Sequence, residues 1–218
     1  DTCCQSRRHR RSGAGSDPIR HGAYLMADPS YIVDGVLTDP EAWVAVASTT
    51  LTTDTAYITF TSTDDGQVGD FSQYMDLVMI CYVRSGDSGA NERICYLSIN
   101  GSSSNADYEV QQLKGNGTTA SANLETSHVL FPVLIGDNST ANAFCAAIAT
   151  FFDVNSGKFK AWVVQSASNY ATAGEVCLSA GTFLKQEPIT SIKVWPSSGD
   201  LKDKSRIDLF GVLPRMVA

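Results

Sequence analysis

The residues here whose types suit chemistry are few and scattered. His128, beside Val129, Leu130 and Phe131, carries an imidazole able to move protons or bind a metal. It lacks a His-x-His or His-Glu-x-x-His partner and reads as a structural histidine at a strand start. Asp64-Asp65-Gly66 offers carboxylates and carbonyls to a hard cation, but the calcium-loop spacing is absent and the same tripeptide is a turn. A turn is the expectation. Glu109 and Glu125 are the nearest approach to the two carboxylates of glycoside hydrolysis, which must lie about 5 to 9 Å apart; nothing in the sequence brings them together. Lys114-Gly115-Asn116-Gly117 resembles the start of a phosphate loop without the lysine and hydroxyl that should follow the glycines. No Gly-x-Ser-x-Gly nucleophile elbow occurs. The expectation is a chain that is not an enzyme, with no catalytic residue, cofactor or metal.

Aromatic side chains give a second kind of chemistry, stacking against flat apolar ligand surfaces such as sugar rings. Trp43, Trp162, Trp195, Tyr82 and Tyr170 could form such a platform, although alternation places them equally well in a core or a subunit contact, and packing is the expected role. The six cysteines, Cys3, Cys4, Cys81, Cys95, Cys145 and Cys177, contain no Cys-x-x-Cys pair. The last four sit in apolar strand-like runs and are expected as buried thiols. A Cys81–Cys95 bridge across a hairpin is the alternative. Asn100, Asn116 and Asn138 match the glycosylation pattern, which so many Asn, Gly and Ser turn residues produce by coincidence.

Charge is unevenly spread. Arg7, Arg8, Arg10, Arg11 and Arg20 face only Asp1 and Asp17 within residues 1–25, while the whole chain has a net charge of -7. A basic arm on an acidic body can contact an acidic neighbour, and those arginines are the candidate arm contacts. A solvated leader is the plain alternative, and nucleic acid is not the expected partner. No apolar run is long enough to cross a membrane as a helix, and no signal-peptide core follows the basic residues.

These residues must be positioned by strands. Charged residues make up only 18% of the chain, while Ser, Thr, Asn and Gly are plentiful, which suits short strands and polar loops better than surface helices. Residues 1–42 are expected as an extended basic arm, with one helical turn where Asp39 caps Pro40 and Glu41. Residues 43–218 carry about ten strand signals between turns. The clearest is Gln73 to Val83: Met75, Leu77, Met79, Cys81 and Val83 share one face, and Tyr74, Asp76, Val78, Ile80 and Tyr82 the other. Two apolar faces mark a central strand covered on both sides or lying at a subunit contact. Pro132 within His128 to Ile135 predicts an edge or a bulge. Val154 to Gly157 predicts a hairpin turn, and residues 189–195 and 205–212 predict two closing strands. The fold class expected is all-β, a jelly-roll-like antiparallel β-sandwich with an extended N-terminal arm.

Several segments, in order and spacing, resemble a jelly-roll module of tailed-bacteriophage virions, seen in capsid decoration (cement) proteins and in small tail-fibre or receptor-binding domains. They are Phe71-Ser72-Gln73-Tyr74-Met75-Asp76-Leu77-Val78 leading to Arg84; Leu97-Ser98-Ile99-Asn100-Gly101 with Tyr108 and Leu113-Lys114-Gly115-Asn116-Gly117; Ile135-Gly136-Asp137-Asn138-Ser139-Thr140-Ala141-Asn142-Ala143-Phe144; and Ile189-Thr190-Ser191-Ile192 with Ser205-Arg206-Ile207-Asp208-Leu209-Phe210-Gly211. The resemblance covers roughly residues 55 to 212. It implies a non-enzymatic structural protein on the outer capsid surface, a homotrimer with the major capsid protein as partner, and it transfers no catalytic residue. The basic arm and the cysteines depart from the usual pattern of such modules. No heptad run or repetitive shaft accompanies the strands, so a decoration protein clamping the assembled shell is expected first. A tail-fibre or spike module binding a host-surface glycan or receptor is the alternative.

Overall fold

Runs that alternate apolar with polar residues become strands through most of the chain. The computed structural model describes residues 32–33, 36–37, 43–170 and 173–213. Two units are distinguished, Asp1–Pro40 and Glu41–Ala218. In the first, β1 (Ile32–Val33) and β2 (Val36–Leu37) pair antiparallel. The arm arginines, His9, His21, Cys3, Cys4 and the helical turn expected at Asp39–Glu41 lie outside the described residues.

The second unit is a sandwich of two antiparallel sheets. Its strands are β3 (Trp43–Thr50), β4 (Ile58–Thr61), β5 (Asp76–Val83), β6 (Glu92–Ile99), β7 (Tyr108–Gly115) and β8 (Ala120–Glu125). They continue with β9 (Val129–Ile135), β10 (Cys145–Phe152), β11 (Lys160–Tyr170), β12 (Ala173–Phe183), β13 (Ser191–Pro196) and β14 (Arg206–Val212). The large sheet has eight strands in the order β3-β14-β5-β10-β11-β12-β7-β8, and the small one four in the order β4-β13-β6-β9. The expected all-β, jelly-roll-like sandwich is therefore the fold. Among the described residues no helix is long and apolar enough to cross a membrane.

The core lies between the sheets. Leu77, Met79, Cys81 and Val83 of β5 point into it, as alternation requires, and meet Cys95, Leu97 and Ile99 of β6 in the buried set. β9, buried along its whole length, crosses above β10, β11 and β12. It is an edge strand whose pairing with β6 shifts register twice, as Pro132 foretold. β10 and β11 form the hairpin expected at 154–157, and Asp153 there adopts φ 52°.

One expectation is corrected. The Cys81–Cys95 bridge does not form, since both thiols are free and β5 and β6 belong to different sheets joined by a crossing connection, not a hairpin. The two closing strands form as expected, β13 entering the small sheet and β14 the large one. Burial raises the thiol pKa of all four described cysteines, that of Cys145 to about 12, with the neighbouring Cys177 adding to it.

One buried cation organises the end of β5. Arg84 is 3% exposed and donates to the carbonyls of Asp137, Ser139, Thr140 and Ala143. It also meets the Asp137 carboxylate at 3.2 Å. A guanidinium's fixed fan of donors suits a loop that curls its carbonyls inward. The loop so held ends at Phe144, whose ring stacks on Tyr82 at 4.9 Å.

Candidate interaction surface

Strand register sets what the large sheet shows on the side away from the core. Directly opposed residues in antiparallel pairs share a face, so cross-strand rows can be followed across the sheet. One row runs through Ile80, Ile148, Gln165, Leu178, Leu113 and Ala122. The next runs through Tyr82, Ala146, Ala167, Val176, Gly115 and Ala120. The flanking row includes Phe210, Val78, Val163, Ala180 and Leu124. Gln165 in the first row and Thr150 and Gln111 in the third are polar, as are Asp208, Ser48, Arg206 and Thr50 where the first two rows reach β14 and β3. The other positions from β5 to β8 are apolar, and Val176 is 64% exposed, Leu113 58% and Leu178 42%. Isolated exposed apolar residues are ordinary; a contiguous field of them marks a contact surface.

The face has relief. A shallow trough of about 810 Å³ passes over Ala146 and Ala167, whose small side chains form its floor. Val176, Leu178 and Leu113 rise on one side of it. Tyr82, braced by Phe144, stands on the other.

Charge on this face is sparse and largely compensated. Arg206 and Asp208 pair at 2.7 Å, and the Ser48 hydroxyl donates to the same carboxylate at 2.5 Å. Burial alone would raise the Asp208 pKa, but the hydrogen bonds from Arg206 and Ser48 outweigh it and hold the carboxyl below its usual range.

The residues singled out from sequence are not gathered at one place. Trp162 is buried under Gly181, Trp43 leans on Phe210 and Tyr82 on Phe144 at the large sheet, and Trp195 lies on the small one. The side chain of Tyr170 lies outside the described residues. Glu109 points outward beside Thr182, while Glu125 shares the opposite face with Val110, so the sheet separates the two carboxylates. Asp64-Asp65-Gly66 is a turn: Asp64 and Gly66 have φ of 56° and 72°, and Asp65 accepts from the Thr63 hydroxyl and the Gln67 N–H. Lys114-Gly115-Asn116-Gly117 forms the β7–β8 turn, where Asn116 Oδ1 accepts from the N–H groups of Thr118 and Thr119. Among the described residues no group of three His, Cys, Asp or Glu side chains is placed to hold a metal.

His128 has a local role. Its Nδ1 lies 2.7 Å from Asn105 Oδ1, and its ring packs 4.8 Å from Tyr96 and 5.3 Å from Trp195. Burial lowers its pKa, favouring the neutral ring. The sequence reading missed the extent of the apolar face; alternation in β5 announced its centre, and alanine-rich β10 and β11 concealed the rest. The chain matches no protein-family model, no curated protein and no solved structure.

Proposed function

We propose that the chain is a non-enzymatic structural module of a tailed-phage virion, a capsid decoration protein that binds and stabilises an assembled shell. The observation supporting it most is the outward face of the eight-stranded sheet, apolar, exposed and poor in charge. A surface of that composition works by contact. Each Å² of apolar area removed from water contributes about 25 cal/mol before the entropic costs of association. A protein that binds only the assembled lattice adds its binding free energy to the assembled state.

The body supplies the rigid unit, and the basic residues of the arm, Arg7, Arg8, Arg10, Arg11 and Arg20, supply attachment to an acidic neighbour on the shell. The homotrimer that the resemblance implies is one way of placing many copies on a lattice. Shells prepared with and without the protein test the reading: decorated shells rupture at higher temperature, and equal rupture temperatures refute it. Removal of residues 1–40 lowers shell occupancy, and unchanged occupancy refutes the arm's part.

A second reading, binding of a host-surface glycan by a tail module, draws on the aromatic row Trp195, Tyr96 and His128 on the small sheet. Lys193 sits 4.0 Å from the Tyr57 ring centroid and 5.2 Å from that of Trp195, so part of the row is already occupied by an ammonium group. Saturable binding to host cells that is lost in Trp195→Ala would favour this reading; its absence excludes it.

A further inference from the structure

We infer that the outward face of the large sheet is the docking surface for a second copy of this chain, the two sheets packing face to face about a two-fold axis. The pairing covers the face on which the decoration reading rests its contact and leaves attachment to the shell to the arm; it needs no shell, so its failure and that of the decoration reading are separately visible.

Size comes first. A two-fold axis near the β11–β12 boundary overlaps the six strands from β5 to β8, which, spaced about 4.8 Å apart with about seven residues each at about 3.3 Å, give a contact of roughly 670 Å². A stable pairwise interface buries about 600 to 1,000 Å² on each partner. One copy of the same face therefore covers an area within that range and leaves β14 and β3 at its margin.

Relief comes second. A two-fold contact is isologous: whatever one copy inserts, it also receives. The ridge of Val176, Leu178 and Leu113 lies beside the trough floored by Ala146 and Ala167. Rotating a second copy about an axis near the β11–β12 boundary seats each ridge in the other's trough. Large side chains then meet small ones, as interdigitating sheets require.

Charge comes third. Two copies each carrying a net -7 repel at long range. Contact is favoured where charge is least, and this face places Ile80, Ile148 and Leu178 at its centre, with its one close ion pair, Arg206–Asp208, already neutralised within the chain.

Sedimentation equilibrium of the full chain at micromolar concentrations tests the pairing. Face-to-face docking demands an even copy number, a dimer or a dimer of trimers; a monomer or a lone trimer overturns it. The Val176→Lys, Leu178→Lys double variant weakens association at least ~100-fold, because each copy would bury two ammonium groups at the contact. The same change makes the chain less negative and reduces long-range repulsion, so lost association must arise at the face. Thr61→Lys, on the small sheet, leaves the mass unchanged. If the double variant loses its circular dichroism signature, Ala146→Lys replaces it. Association that survives lysines on a folded protein overturns the inference. Raising salt shortens the Debye length from about 10 Å at 0.1 M to about 3 Å at 1 M, so an apolar contact between like-charged copies tightens. Weakening with salt would instead identify an ionic interface elsewhere and sink the proposal.

Discussion

Gly181→Ala should be among the most damaging single-methyl changes in this protein. Gly181 faces Trp162 directly across β11 and β12, and a Cβ built there falls 2.1 Å from Cζ2, 2.2 Å from Cε2 and 2.7 Å from Nε1 of the indole. Carbon atoms pack at about 3.5 Å or more, so the ring must retreat by roughly 1.4 Å. It has nowhere to go. Trp162 is 1% exposed, with the rings of Tyr108 and Phe151 each 6.2 Å away, centroid to centroid. Overpacking of this severity costs about 3 kcal/mol, and the alanine's smaller loss of backbone entropy returns only about 0.4 to 1 kcal/mol. A net destabilisation of about 2 to 3 kcal/mol should appear in urea unfolding followed by circular dichroism, as a lower midpoint at unchanged slope. Trp162→Leu removes all three clashing atoms. Alone it costs about 2 to 3 kcal/mol through the cavity it leaves; combined with Gly181→Ala, the total should fall short of additivity by about 2 kcal/mol. A Gly181→Ala protein within about 1 kcal/mol of the parent, or two additive substitutions, would refute the claim that this glycine exists to admit the indole.

Arg84→Met should cost about 3 kcal/mol, because it takes a buried donor from the carbonyls of Asp137, Ser139, Thr140 and Ala143, while the Asp137 carboxylate keeps Lys202 at 3.2 Å. Denaturant unfolding measures the loss, limited proteolysis reports whether the 136–144 loop opens, and a change below about 1 kcal/mol would show the fan of bonds to be incidental. Cys81, Cys95, Cys145 and Cys177 should resist alkylation at pH 8 until the protein is unfolded, since they are covered and burial keeps them protonated; peptide mapping that finds any of them labelled rapidly in native buffer contradicts this. The Ser198 hydroxyl, the Gly89 N–H and Arg93 hold Asp87 at a pKa of about 2, down from 3.8. A depressed carboxylate stabilises the fold above its unfolded value and ceases to as the pH falls through its folded value. The stability difference between parent and Asp87→Asn should thus be constant above about pH 5 and shrink as the pH falls to about 2, and one that stays constant throughout would assign the effect to something other than this charge.

What the sequence disclosed and what it withheld follow from one distinction, between alternation along a strand and register across strands. The two apolar faces of β5 were legible because Val78, Ile80 and Tyr82 break the polar half of the pattern. The edge position of β9 was legible because Pro132 cannot donate to a ladder. β8 was not, since Ala-Ser-Ala-Asn-Leu-Glu lacks β-branched residues and is exposed on both sides for most of its length. Nor was the apolar face beyond β5: Ala146, Ala167 and Ala180 are neutral to any strand pattern, and only pairing places them in rows with Ile80, Val176 and Leu178. The Trp162–Gly181 fit and the crossing of β13 and β14 into different sheets are likewise properties of pairing. This has a consequence for function. A single-strand pattern can show that a residue is apolar on the solvent side, which happens often and means little. Only register shows such residues to be neighbours over several strands, and contiguity is what separates a chance exposed valine from a surface built to be covered.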